Sequence, residues 1–193
     1  MRRLAAFLIV FVFIIGILAA CGTQEEPLSP AIEFRAKLTQ SGCTFHADVT
    51  ADLGETAVHF AMDCAVDNEG TVRLTVTEPE RISGITATVT ADTGKLTYDG
   101  MALDFGLLAN GNVVPAAAPA IAADCWLRQY IFSAGYEDAR YRATYERGFD
   151  EKRLFVDSWF ENAVPICAEV CYNGQRILKI QITRSRNFNY NNG

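Results

Sequence analysis

Cys43-Thr44-Phe45-His46-Ala47-Asp48-Val49-Thr50, followed by Ala57-Val58-His59-Phe60-Ala61-Met62-Asp63-Cys64-Ala65-Val66, is the stretch that decides the fold. Its apolar residues recur every second position. Cys43, Phe45, Ala47 and Val49 share one side of the first run, with Thr44, His46, Asp48 and Thr50 on the other. In the second run Val58, Phe60, Met62, Cys64 and Val66 oppose Ala57, His59, Ala61 and Asp63. A period of two is the signature of half-buried strands, and a polar loop joins these two into a hairpin. Pairing Ala51 with Thr56 across that loop sets Phe45 against Met62 and Ala47 against Phe60. It also sets Cys43 against Cys64, which makes these two the candidates for a disulfide. A slip of one residue would bury the histidines and expose the phenylalanines, so the parity is well determined.

Working outward, the same period continues. Val72, Leu74 and Val76 mark a third strand that Pro79 interrupts, and Ile85, Ala87, Val89 and Ala91 mark a fourth. Lys95 to Tyr98 and Met101 to Phe105 are shorter strands, and consecutive strands with tight turns favour an antiparallel meander. Upstream, Ser29-Pro30 reads as a cap and first position of a short helix over 31–40 that Gly42 ends. Downstream, 113–119 is a loop rich in alanine and proline. Ala123, Trp126, Leu127, Tyr130 and Ile131 then have helical spacing, which predicts a helix over 120–133 stopped by Gly135. Such a helix needs an apolar surface to lie on. Further strands are expected over 139–147, 152–157, 165–172 and 175–183, with Asn173-Gly174 as the strongest hairpin turn. The fold class expected is α+β, mainly β: an open antiparallel half-barrel with helices on its concave side.

The N-terminus must be set apart from the fold. Arg2 and Arg3 precede an uncharged run, Leu4 to Ala20, and then Leu18-Ala19-Ala20-Cys21-Gly22. The latter resembles the lipobox of bacterial lipoproteins, where an acyl lipid is attached to the cysteine and the chain is cut before it. That implies a signal peptide over 1–20, lipidation of Cys21, an extracytoplasmic location and a membrane held through the lipid. A polar tether over 21–30, one domain over 31–186 and a frayed tail over 187–193 complete the organisation. Removing Arg2 and Arg3 from 17 basic residues leaves 15 against 23 acidic, a net charge of −8. That excludes the basic footprint of a nucleic-acid binder. Five cysteines remain beyond Cys21. Being odd in number, they leave at least one thiol free within the chain, and the small-core-residue reading competes for most of them.

Three segments resemble the family of periplasmic lipoprotein carriers (LolA-like) and related mycobacterial lipid-binding lipoproteins. They are Phe45 through Thr50, then Pro79 through Ile85 with Gly94 through Gly100, and Pro165 through Ile182. The resemblance implies an open half-barrel. It also implies two functional classes, because some similar lipoproteins of spore-forming bacteria are partners of a cell-wall amidase. The function expected is a non-enzymatic binding module for a protein partner in the envelope. The alternative is a hydrophobic ligand held in a groove lined by Phe45, Phe60, Met62, Val72, Leu74 and Trp126. Two arrangements could carry other chemistry. His46, His59, Asp48 and Asp63 share a sheet face, with His59 opposite Asp48, and read either as a metal cluster or as exposed polar pairs. Asp124, Cys125 and Arg128 lie within one helical turn but have no histidine beside them to act as base. No phosphate loop, Gly-x-Ser-x-Gly, His-Glu-x-x-His or dinucleotide fingerprint occurs, so no cofactor or catalytic set is expected.

Overall fold

A computed structural model describes residues 29–52, 56–90, 93–98, 101–106, 108–109, 112–148 and 153–183. The leader, Cys21, most of the tether and the tail lie outside these. The first element is helix α1, Pro30–Ser41. Ser29 caps it, its side chain accepting from the Ile32 amide at 3.4 Å, and Pro30 takes the first turn, where no amide is needed. Gly42 ends the helix at φ 66°, ψ −169°, a region open only to glycine. A Cβ there would sit 2.3 Å from the Val66 carbonyl oxygen, so the chain enters the sheet in a space that admits no side chain.

The sheet begins with β1 (Cys43–Asp52), β2 (Ala57–Val66) and β3 (Val72–Glu78). Pro79 stops β3 as expected and opens a single 3-10 turn, after which β4 (Thr86–Val89), β5 (Thr93–Tyr98) and β6 (Met101–Gly106) follow. A separate two-stranded ribbon, β7 (Leu108–Ala109) and β8 (Asn112–Val113), leads to helix α2, Ala118–Leu127. The chain then runs through β9 (Tyr130–Glu137), β10 (Arg140–Arg147), β11 (Leu154–Glu161), β12 (Val164–Tyr172) and β13 (Gln175–Thr183). Eleven strands form one antiparallel sheet in the order β6-β5-β4-β3-β2-β1-β13-β12-β11-β10-β9. The first and last strands meet at its centre, β1 against β13, so two meanders are zipped together along the oldest and newest parts of the chain. β6 and β9 do not meet, and the half-barrel stays open. Both helices pack on its concave side, α1 against β11 and β12, α2 against β3, β10 and β13.

Two expectations are corrected. The hairpin register is shifted: Phe45 faces Cys64, Ala47 faces Met62, Val49 faces Phe60 and Cys43 faces Val66. The loop keeps four residues but sits one position further along the chain, which moves the pairing by two. Parity, the property that burial enforces, is preserved; loop position is not encoded in the alternation. The second correction concerns the helix expected over 120–133. It runs from 118 to 127, and Tyr130 onward is a strand. Tyr130-Ile131-Phe132 is β-favouring by residue type. Its alternation was invisible because β9 is an edge strand on which every side chain but Ile131 is exposed.

Candidate functional site

Trp126 stands at the centre of the concave side, 1% exposed. Its ring meets Phe34 of α1 edge-on at 5.5 Å and Phe45 of β1 at 6.0 Å. Its indole Nε1 donates to Ser158 Oγ on β11 at 2.9 Å. Aromatic pairs in this geometry gain more than their burial alone. Phe45, Met62, Val72 and Leu74, expected to line a groove, are each 2% exposed or less and belong to the same cluster, with Phe60 partly buried against it. The wall of an open groove would be touched by water. These residues instead form a core beneath the two helices. Among the described polar groups of this interior, the Tyr145 hydroxyl is buried with no hydrogen-bond partner, and burial raises its pKa.

The device that clamps α2 to this core was not anticipated. Arg35 reaches from α1 to the end of α2, donating to the carbonyls of Cys125 (3.1 Å), Trp126 (2.6 Å) and Gln129 (2.6 Å). A cation is favoured at a helix C-terminus, where carbonyls lack partners. Beside it Asp124 is 3% exposed. Its Oδ2 accepts from Arg147 Nε and from Gln129 Nε2, both at 2.9 Å, and Arg128 lies 3.6 Å from Oδ1. Arg128 also donates to the Glu69 carbonyl in the β2–β3 turn. Only proximity in sequence tied Asp124 to Arg128. Arg35 and Arg147 come from distant segments, so no spacing could have signalled them.

The Asp124, Cys125, Arg128 trio is therefore a structural joint. Cys125 is fully buried, and desolvation pushes its thiol pKa up, opposite to what a nucleophile requires. The other described thiols are free as well. Burial pushes Cys43 up to about 12 and raises Cys64 further, with the Asp63 charge adding to the effect at Cys64. Cys167 and Cys171 are raised mainly by burial too, but are only partly buried. Cys43 and Cys64 are diagonal rather than opposed, which removes the geometric argument for pairing them; their disulfide becomes a question for chemistry. A thiol reagent at pH 8 is expected to modify Cys167 and Cys171 in the native protein. Cys64 and Cys125 should react only after unfolding, because thiolate is the reactive form and burial withholds it. Peptide mapping reads the order; rapid native labelling of Cys125 would contradict the packing, and a mass lower by two hydrogens without reductant would reveal a bridge.

The histidines and aspartates do come together on the convex face. His46 is opposite Asp63, with Nδ1 2.8 Å from Oδ1, and both His46 Nε2 and His59 Nε2 lie 3.9 Å from Asp48 Oδ1. In the shifted register, however, His59 faces Thr50 rather than Asp48. The two imidazoles thus flank Asp48, each with its Nε2 3.9 Å from the same carboxylate oxygen, farther than a hydrogen bond. Among the described residues no group of three or more such side chains is placed to hold a metal ion. The cluster is a set of surface pairs around Asp48.

No family model and no curated protein matches the chain. Among solved structures, a LolA superfamily protein of Nitrosomonas europaea is similar at 10% identity and TM-score 0.43, covering 80% of this chain and 91% of that one. Lipoprotein LppX of Mycobacterium tuberculosis (9% identity, 82% and 96% covered, TM-score 0.38) and LprF of Mycobacterium bovis (14%, 81% and 94%, TM-score 0.34) are also similar. At these identities and scores the likeness assigns neither a family nor a site.

The surface the sequence did not single out is the β9 end of the sheet. Tyr130, Phe132 and Tyr136 are 74%, 58% and 74% exposed. Phe132 meets Phe155 edge-on at 5.7 Å and Tyr136 meets Tyr141 at 5.3 Å, so both rings are held rather than loose. Nearby, Arg142 lies over the Trp159 ring at 5.4 Å, and Trp159 Nε1 donates to Glu137 at 2.8 Å. A shallow hollow of about 360 Å³ runs beside the strand, lined by residues including Gly135, Tyr136, Glu137, Arg142 and Thr144. The available signal was the run Tyr130-Ile131-Phe132 followed by Tyr136, which helical spacing absorbed.

Proposed function

We propose that this chain is an extracytoplasmic lipoprotein, held to the membrane through lipid on Cys21, that acts as a non-enzymatic binding module for a protein partner in the cell envelope. The observation that carries the choice of partner over small ligand is the filled concave side. Trp126 and its neighbours occupy the space a hydrophobic ligand would need, and Arg35 holds the two helices over it. Opening that space would expose the largest buried side chains of the core. The recognition surface is then the outside of the sheet, where aromatic side chains stand exposed. The non-enzymatic reading is supported by Cys125, whose burial disarms the thiol set beside Asp124, Arg147 and Arg35. No helix of the described residues is long and apolar enough to cross a membrane.

The test is gentle isolation followed by intact mass analysis. The expected chain begins at Cys21, carries acyl mass and holds no further lipid; Cys21→Ser releases it from the membrane. Stoichiometric co-purifying lipid would overturn the partner reading in favour of a hydrophobic ligand, and an intact leader would overturn the anchoring.

A further inference from the structure

We propose that the partner contributes an extended segment, apolar and basic, that adds to the outer edge of β9 as a further strand of the sheet. The proposal rests on the binding-module reading above and gives it a surface. β9 terminates the sheet, and among the described residues no strand pairs its outer edge. Edge strands are ordinarily blunted by lysine, proline or covering loops, because an open edge is a template for another chain. β9 has neither Lys, Arg nor Pro in its eight residues, and instead presents three exposed aromatics.

The ladder available to a partner follows from the hairpin. Glu137 pairs with Arg140 across the two-residue turn Asp138-Ala139, and Tyr136–Tyr141, Gly135–Arg142 and Ala134–Ala143 follow in unbroken register. Pairs that close a two-residue hairpin exchange both backbone bonds, and alternate pairs exchange none. The amide and carbonyl of Ala134 and of Tyr136 therefore point away from β10, toward solvent. The bulge falls at the other end, between Thr144 and Tyr145, and leaves the stretch from Ser133 to Glu137 regular. Two outward donor–acceptor sets two residues apart are what an added strand uses; the exposed ring of Tyr136 on one face, and those of Tyr130 and Phe132 beyond the bulge on the other, supply its side-chain contacts.

Charge selects the occupant. The only charged residue on β9 is Glu137, which Trp159 and Arg142 already engage; Asp138 stands next to it, and the whole chain carries a net charge of −6. A second copy of this chain would bring the same acidic edge against its like; a segment bearing lysine or arginine meets complementary charge and gains in encounter rate.

The probe is a fluorescent nonapeptide of alternating valine and lysine, with an alternating valine and glutamate peptide beside it, each titrated against the purified full chain. The basic peptide should bind and slow hydrogen exchange across residues 133–137, and the acidic one should not. Ala134→Pro removes an outward amide without touching the β9–β10 bonds, a position where an edge strand tolerates proline. It should weaken binding about tenfold, the worth of one net hydrogen bond, with the urea midpoint unchanged. The Phe132→Lys, Tyr136→Lys double variant repels the peptide and keeps the backbone, so it serves if the proline disturbs folding. Strand addition is overturned if the basic peptide fails to bind, if the acidic peptide binds equally, or if neither variant weakens it. A wild-type dimer that Ala134→Pro dissociates would put a second copy on β9 and overturn the partner as occupant. Failure with protein free of lipid removes this interface alone; co-purified lipid removes the binding-module reading beneath it.

Discussion

Trp126→Ala is expected to lower the unfolding free energy by about 3–5 kcal/mol, the cost of deleting a large core aromatic whose surroundings cannot collapse. Collapse is hindered because the indole bridges three elements: Phe34 on α1, Phe45 on β1 and Ser158 on β11. Its removal leaves a hole under both helices and strips Ser158 of its indole donor at a fully buried site. Trp126→Phe separates the two effects. It keeps most of the volume, and should cost about 1–2 kcal/mol for the hydroxyl left without that donor. Urea unfolding followed by circular dichroism measures both. A loss under about 1 kcal/mol for the alanine variant would mean the tryptophan faces a space already open, and would return the hydrophobic groove to consideration.

Asp124→Ala ranks second, with an expected loss of about 3 kcal/mol, because removing one partner of a buried ion pair strands the other. The aspartate is almost wholly enclosed, and Arg147, its partner at 2.9 Å, has a side chain only 18% exposed. Arg128 is half exposed and adds little. Replacing both members of the pair with apolar residues of similar size, Asp124→Leu with Arg147→Met, is expected to recover most of the loss, since the desolvation cost of both charges disappears together. Unfolding midpoints of the single and double variants test this. A double variant no more stable than Asp124→Ala would show that the carboxylate matters through Gln129 and the helix end instead.

The legibility of the molecule divides along one line: local period was readable, distant partners were not. Cys43 through Val66 could be placed as two half-buried strands because burial leaves an alternation in residue type. The helix cap at Ser29-Pro30 and the break at Pro79 were equally readable, since each acts on its own backbone. The helix expected over 120–133 overshot because Tyr130 and Ile131 satisfy helical spacing, while an exposed edge strand leaves no alternation to contradict it. The Cys43–Cys64 opposition and the His59–Asp48 opposition failed together for one reason. Both needed the absolute register, and parity is all that burial specifies.

The β9 edge shows the same limit at the level of function. Three aromatics within seven residues were visible, yet only the sheet order shows that they stand at an open end rather than in the core. Arg35 is another case: nothing near it in sequence hints that its guanidinium caps a helix some ninety residues away.

By itself, then, the order of residues determined which faces are apolar, where most strands and the first helix begin, and that the chain folds into an open, mainly β half-barrel. Those are consequences of side-chain period and backbone preference, which act over a few residues. Tertiary structure alone decided which strands are neighbours, that the concave side is filled by Trp126 and its companions, and that β9 ends the sheet with its aromatics uncovered. Such facts depend on contacts between segments far apart in the chain, and the free energy that selects them resides in packing rather than in any local pattern.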